Sequence, residues 1–223
     1  MFIAMNFFIK IIVSLSFIIS LYPQSNGNFK IARLKYAGGG DWYNDPSAEV
    51  NLLYFVQQNT NIKVDAWYQF VDLASDEIFS YPFLFITGHG NVVFSQDEAD
   101  RLRLYLENGG FLYIDDDYGL NNAIRREMKK VFPEKDFAEL PFNYGLYNVV
   151  FNFENGPPKT HEHDKKPAQG FGIFVNGKLA VYFTFESNPS DGWTDQSVHN
   201  DPTAKREEAL RFGTNLVVWA LLQ

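Results

Sequence analysis

Residues 29–131 alternate short apolar runs with stretches in which apolar positions recur at helical spacing. The apolar runs have the length of strands and lie at residues 29–36, 63–70, 83–87 and 111–114. The helical stretches that follow them lie at residues 48–58, 75–81, 95–108 and 121–131. Because each strand is followed by a helix, the pattern predicts a mostly parallel sheet with right-handed crossovers.

Polar residues mark where the predicted helices begin. Ser95 and Glu98 have the spacing of a capping box, in which each side chain binds the other residue's backbone N–H. Ser47 is expected to cap the first helix, and Asn121 or Asn122 the third long one.

The pattern changes after residue 170. Two apolar runs, residues 172–175 and 178–186, flank Asn176-Gly177, which is a strong signal for a two-residue hairpin turn. A last helical stretch covers residues 203–222. The sequence therefore predicts an α/β domain in which an antiparallel hairpin extends a mostly parallel sheet.

The N-terminus has its own pattern, an apolar run at residues 11–22 that follows Lys10 and precedes small residues near Ser25. This is the pattern of a secretory signal peptide, so we expect removal of residues 1–25 and a single domain at residues 26–223. An uncleaved N-terminal membrane anchor is the alternative. The sequence has no cysteine and hence no disulfide, which favours the bacterial periplasm over a small disulfide-linked extracellular domain.

The charge balance is acidic, with a formal net charge of −8. Loss of Lys10 with the leader makes the mature chain more acidic still. Such a chain lacks the basic surface that nonspecific nucleic-acid binding requires, so we expect no nucleic-acid partner. We also expect no stable membrane span after signal cleavage.

The histidines lie in polar segments rich in glycine, aspartate or proline. They are His89, His161, His163 and His199. His89 follows one predicted strand, and Asp115, Asp116 and Asp117 end the next. Because the carboxyl ends of parallel strands meet at one edge, we expect His89 within about 8 Å of at least one of these aspartates.

One hypothesis for the chemistry is a metal site. His161 and His163 are spaced i, i+2, which on an extended segment places both imidazoles on one face. His89 and Asp116 would complete a set of three nitrogens and one oxygen. This set suits zinc or another divalent transition metal that activates water in a hydrolase.

Two further hypotheses need no metal. In a metal-free hydrolase, Asp115 or Asp116 would be the nucleophile or base and His89 the proton shuttle. In a noncatalytic module, the cleft would bind a small molecule, a glycan or a partner protein. The residues expected to line this cleft are Asp41, Trp42, Tyr43, Trp193, His199 and Asp201. The binding module is the leading expectation, with enzymatic activity left open.

Several segments between residue 29 and the C-terminus resemble the bacterial domain-of-unknown-function family 4159. They lie at residues 34–36, 38–46, 87–90, 109–112, 115–116, 159–164, 169–173 and 199–202. That family looks like a branch of the class I glutamine amidotransferase-like superfamily, which implies a flavodoxin-like three-layer α/β sandwich. The superfamily places a nucleophile, usually cysteine, at a turn that matches residues 115–119. Because this chain has no cysteine, thiol amidotransferase and thiol protease chemistry are excluded, and the resemblance implies the fold but little about activity. Together with the expected export, this favours a binding module of the cell envelope.

Export is the first testable prediction. N-terminal sequencing of the protein from its own host should give a mature chain that begins near residue 26, because the apolar run after Lys10 has signal-peptide features. An intact Met1 or Met5 on soluble cytoplasmic protein would contradict it.

Overall fold

A seven-stranded sheet forms the centre of the computed structural model, which describes residues 27–161 and 163–223. The strands are β1 (Ile31–Lys35), β2 (Phe70–Asp72), β3 (Phe83–Ile86), β4 (Phe111–Asp115), β5 (Ala138–Glu139), β6 (Gln169–Val175) and β7 (Lys178–Phe185). Their order across the sheet is β2-β1-β3-β4-β7-β6-β5. The first five in this order pair in parallel, and β6 pairs antiparallel with β5 and β7. The expected signal peptide, residues 1–25, lies outside the described residues.

Helices cover both faces of the sheet. They are α1 (Ala48–Asn59), α2 (Gln96–Glu107), α3 (Asn121–Val131), α4 (Pro189–Trp193), α5 (Gln196–His199) and α6 (Thr203–Leu221). Residues of α2 and α3 belong to the apolar cluster on one face, and residues of α1 and α6 to the cluster on the other. The predicted three-layer α/β architecture is therefore confirmed. Among the helices described, none combines the length and the apolar character needed to cross a bilayer.

The carboxyl ends of four neighbouring strands, β1, β3, β4 and β7, meet at one edge of the sheet. The chain reaches β7 through the predicted hairpin, in which Asn176 (φ 52°) and Gly177 (φ 80°) adopt the left-handed conformation of a tight two-residue turn. Because β7 is antiparallel to β6 but parallel to β4, the loop after β7 joins the loops after the other three strands.

The position predicted for the second strand, residues 63–70, is wrong. Residues Phe70–Asp72 pair with β1, while Val64 makes an isolated bridge with Phe29. Between them, Trp67 is 71% exposed, so its side chain lies in solvent rather than in the core. β2 is an edge strand held on one side only, and aromatic and β-branched propensity does not by itself fix where pairing begins.

The helix caps follow the sequence at α2 and depart from it at α1. Ser95 and Glu98 form the predicted capping box at the start of α2. Ser47 occupies the predicted N-cap position but makes no side-chain capping hydrogen bond, because its backbone is already helical and its hydroxyl accepts the N–H of Asp195. Ser47 thus ties the start of α1 to the loop before α5.

Candidate functional site

Acidic and imidazole side chains gather at the carboxyl edge of the sheet, where open α/β sheets bind their ligands. They come from the loops after β1, β3, β4 and β7, from the segment between β5 and β6, and from the segments around α4 and α5. We call them the His–Asp cluster, which consists of Asp41, Asp45, His89, Asp117, His161, Asp191, His199 and Asp201.

His89 lies after β3 between two carboxylates. Its Nδ1 is 3.1 Å from Asp41 Oδ2 and 3.1 Å from Asp117 Oδ2, and its backbone N–H donates to Asp41. The predicted proximity of His89 to the aspartates after β4 is thereby confirmed for Asp117. Burial works to lower the pKa of His89, but the charges of Asp117 and Asp41 outweigh it and raise that pKa above its ordinary value. His89 is therefore suited to holding a proton near neutral pH.

Two asparagine amides hold Asp117 in place. Asn44 Nδ2 donates to Asp117 Oδ2 at 2.7 Å, and Asn188 Nδ2 donates to Asp117 Oδ1 at 2.8 Å. Burial raises the pKa of Asp117, and the charge of Asp191 adds to this effect. Both oxygens of Asp117 thus accept hydrogen bonds, and Oδ2 also contacts the imidazole of His89.

His161 and His199 lie in the second half of the cluster, with ring centroids 5.2 Å apart. His161 Nδ1 is 2.5 Å from Asp191 Oδ2, and its Nε2 is 3.1 Å from Asp201 Oδ2. His199 Nε2 is 3.2 Å from Asp45 Oδ2. The hydrogen bond to Asp191 raises the pKa of His161 above its ordinary value. Each ring nitrogen of His161 therefore lies within hydrogen-bonding distance of a carboxylate, Nδ1 of Asp191 and Nε2 of Asp201.

Among the residues that the structure describes, two groups of three have ligand atoms within 4.8 Å of one another and could hold a metal ion. One is His161, Asp191 and His199, which we call the His–Asp–His triad. The other consists of Asp45, Asp117 and Asp191. The triad is the better candidate, because Asp117 in the second group already accepts hydrogen bonds on both oxygens. Two imidazoles and a carboxylate also match the donors that transition metals prefer.

The metal ligands predicted from the sequence, His89, His161, His163 and Asp116, do not converge within the residues the structure describes. Neither His161 nor His163 lies in a strand, so the rule that residues i and i+2 share one face does not apply to this pair. The ring of His163 instead packs 4.9 Å from that of Tyr118. Of the predicted set, only His161 belongs to a described group that could hold a metal ion, and its partners there are Asp191 and His199.

Asp116 has a structural role at the start of α3. Its carboxylate accepts the N–H of Leu120 at 2.7 Å and the N–H of Asn121 at 3.2 Å. The cap predicted at Asn121 or Asn122 is therefore wrong, since a carboxylate several residues upstream performs it. A carboxylate is well suited to this position because it also interacts favourably with the helix dipole.

Asp115 is fully buried beneath the cluster. Its carboxylate accepts the hydroxyl of Thr184 at 2.6 Å and the N–H of Ser190 at 2.8 Å. Burial raises the pKa of Asp115 to about 7. Through the N–H of Ser190, Asp115 holds the start of the segment that carries Asp191. Of the three consecutive aspartates, Asp117 is the one that contacts His89.

Trp193 does not line the cleft as expected. It lies at the end of α4 and is 1% exposed, with its ring packed near Phe85 and Tyr113. Its indole N–H donates to the carbonyl of Ala209 in α6. The prediction is wrong because the segment after β7 folds into a short helix whose aromatic residue completes the core.

Trp42 and Tyr43 are only partly available to a ligand. Their rings meet edge to face at 5.6 Å, and Trp42 also packs against Phe70. Lys35 lies over the ring of Trp42 at 5.6 Å, whereas Tyr43 is 63% exposed. The neighbouring Asp41 connects this aromatic group to His89.

Four residues of the site are not among those expected from the sequence, namely Asn44, Asp45, Asn188 and Asp191. Asp45 and Asn188 have left-handed backbones, with φ of 47° and 49°. Asn188 and Asp191 lie in a polar segment directly after β7, which is the same signal that pointed to His89 after β3. Because β7 pairs in parallel with β4, the polar segment after β7 lies at the same edge of the sheet as His89.

Comparison with known proteins finds one family. A family model described as "Domain of unknown function (DUF4159)" matches residues 30–221. No curated protein matches the chain.

The buried Asp115 predicts a pH-dependent stability. Its pKa in the folded protein, about 7, lies above that of an unfolded aspartate, so its contribution is present at low pH and lost as pH rises through 7. Between about pH 5 and about pH 8 this loss should be on the order of 3 kcal/mol. Asp115→Asn should remove it, because the amide can donate to Thr184, accept from Ser190 and remain neutral.

The measurement is the free energy of unfolding of both proteins in urea across this pH range. The stability of wild type relative to Asp115→Asn should fall as pH rises from about 5 to about 7 and change little above that, because the carboxyl is then ionised in both the folded and the unfolded protein. A constant difference between them at all pH values would show that Asp115 does not titrate near 7.

Proposed function

The chain belongs to the family described as Domain of unknown function (DUF4159), and we propose that it is a hydrolase dependent on a divalent transition metal ion. The observation that carries this proposal is the His–Asp–His triad, His161, Asp191 and His199, whose ligand atoms lie within 4.8 Å at the carboxyl edge of the sheet. Three protein ligands leave a coordination position for water or substrate, as catalytic zinc sites do.

The surroundings of His161 support the metal proposal. Its Nδ1 faces Asp191, and its Nε2 faces Asp201 at 3.1 Å. Histidine ligands commonly bind the metal through one nitrogen and donate the other N–H to a carboxylate, which fixes the ring. Asp201 is in position to do this for His161, and Asn188 Nδ2 donates to Asp191 Oδ2 at 3.3 Å.

His89 is the candidate general acid and base. Asp117, its carboxylate neighbour, has a ligand atom within 4.8 Å of one on Asp191, so His89 and the triad face the same edge. When bound, the metal would lower the pKa of a water molecule and polarise the substrate. His89 would take up the proton that this water releases and pass it to the leaving group, while Asp41 and Asp117 orient its ring.

A noncatalytic binding module remains the second candidate. Tyr43, 63% exposed and next to Trp42, favours it, because an exposed ring beside a cleft can pack on a glycan, a small molecule or a protein partner. Trp193, one of the aromatic residues expected to bind the ligand in such a module, is buried and cannot contact it. The arrangement of the triad favours the metal-dependent hydrolase over it.

Three further proposals concern the whole chain. The strand order β2-β1-β3-β4-β7, with β7 in the fifth place of a flavodoxin-like sheet, supports membership of the class I glutamine amidotransferase-like superfamily. One continuous sheet supports a single domain for residues 26–223. Export to the periplasm, or N-terminal anchoring in its place, rests on the apolar run after Lys10.

Metal content tests the proposed function directly. Protein purified without an affinity tag should carry one divalent transition metal per chain, measured by mass spectrometry of the elements. His161→Ala and His199→Ala should each lower the affinity by more than about 100-fold, because outer partners alone are worth 10- to 100-fold. His163→Ala is the matched control and should keep the metal, since His163 packs on Tyr118 outside the triad.

Two outcomes would contradict this assignment. Wild-type protein that stays metal-free and gains no thermal stability on addition of Zn²⁺ would reject the metal site. Equal losses of metal in His163→Ala and His161→Ala would reject the ligand set that the structure indicates.

His89→Gln separates catalysis from metal binding. It should retain the metal but hydrolyse model esters about 100-fold more slowly or worse, because the residue that transfers the proton is lost. The assay uses p-nitrophenyl acetate, p-nitrophenyl phosphate and bis-p-nitrophenyl phosphate, with and without chelator. If metal-loaded wild type cleaves none of these esters, the hydrolase proposal is contradicted. The protein would then be a module that binds metal without catalysis.

A further inference from the structure

A buried ion pair joins β1 to the first turn of α1. Arg33 and Glu49 have 0% and 1% of their side chains exposed. Arg33 Nε donates to Glu49 Oε1 at 2.7 Å, and its Nη2 donates to Glu49 Oε2 at 2.7 Å. The contact is the two-pronged type that a planar guanidinium makes with a carboxylate.

The remaining N–H groups of Arg33 point to backbone carbonyls of the loop after β1. Nη1 donates to the carbonyls of Trp42, at 3.2 Å, and Asn44, and Nη2 donates to the carbonyl of Asp45 at 3.3 Å. A guanidinium has five N–H donors, and each therefore has an acceptor. The loop carbonyls are part of the solvation of a buried charge, so the loop cannot move away without leaving donors unpaired.

The side chains of this same loop, residues 41–45, enter the His–Asp cluster at three points. Asp41 contacts His89, Asn44 donates to Asp117, and Asp45 lies 3.2 Å from His199. Asp45 does so from a left-handed backbone conformation, with φ of 47°, that is unfavourable for a side-chain-bearing residue. Such a conformation persists only when its surroundings impose it.

We infer that Arg33 is a positioning residue for the proposed reaction, which it serves by holding the 41–45 loop against the His–Asp cluster. This inference rests on the proposed function for its chemical meaning. Arg33 touches no residue of the His–Asp–His triad through a hydrogen bond in the described structure, and acts through the backbone of Asn44 and Asp45. Lysine cannot replace it, because an ammonium group has three donors and no planar fork.

The test compares two variants with a matched control. Arg33→Lys keeps the positive charge but loses the planar guanidinium that donates to both oxygens of Glu49. The double variant Arg33→Met with Glu49→Met removes both charges and fills the space with apolar side chains, which often preserves folding where a single change leaves an unpaired buried charge. Arg103→Lys is the control, since Arg103 makes a similar fork with Glu134 on the surface of α2.

Two readouts are required, both on protein shown to be folded by circular dichroism. The first is the set of imidazole NMR resonances in metal-free protein, in which those of His89 and His199 should shift in both Arg33 variants while that of His163 stays. The second is the affinity for Zn²⁺ and the visible spectrum of the Co²⁺ form. Affinity should fall about 10- to 100-fold, as for loss of outer partners at metal sites, and Arg103→Lys should match wild type in both.

The readouts keep the two proposals separate. If wild type binds no metal, the proposed function fails, but the imidazole resonances still test whether Arg33 holds the loop. A folded double variant with the resonances and Zn²⁺ affinity of wild type would overturn the positioning role. Shifted resonances with unchanged affinity would likewise overturn it, because the loop would then move without consequence for the triad.

Discussion

The buried guanidinium of Arg33 is the constraint on which the geometry of the site depends. A charge with no exposed surface must have all its donors satisfied, and here one carboxylate and three loop carbonyls share that task. An apolar pair of similar volume would often serve stability equally well. What an apolar pair would not do is specify the path of residues 41–45, because dispersion contacts lack the direction of a hydrogen-bonding fork.

The second organising feature is the excess of negative charge at the carboxyl edge. The His–Asp cluster contains three imidazoles, those of His89, His161 and His199, and more carboxylates than imidazoles, those of Asp41, Asp45, Asp117, Asp191 and Asp201. Hydrogen bonds from asparagine amides and from backbone N–H groups stabilise part of this negative charge. What remains favours a cation, and so agrees with a metal ion more readily than with an anionic ligand.

Topology explains how distant segments reach one another. Placing β7 beside β4, parallel to it, brings the segment from Glu186 to Asp191 to the edge already occupied by the ends of β1, β3 and β4. The hairpin at Asn176-Gly177 sets this direction, since the strand before it must run the opposite way. The α5 segment with His199 follows within a few residues and completes the cluster.

The sequence by itself determined the alternation of strands and helices, the capping box at Ser95, the hairpin turn, and the edge at which His89 and Asp117 meet. These depend on local periodicity and turn chemistry, which each segment carries within itself. Tertiary structure alone decided which side chains face one another. His163 packs on Tyr118 and not in the triad, a short helix places Trp193 in the core, and the loop after β7 brings Asp191 to the triad. Side-chain direction follows from the path of the backbone in three dimensions, and spacing along the chain reveals it only where a regular helix or strand fixes that path.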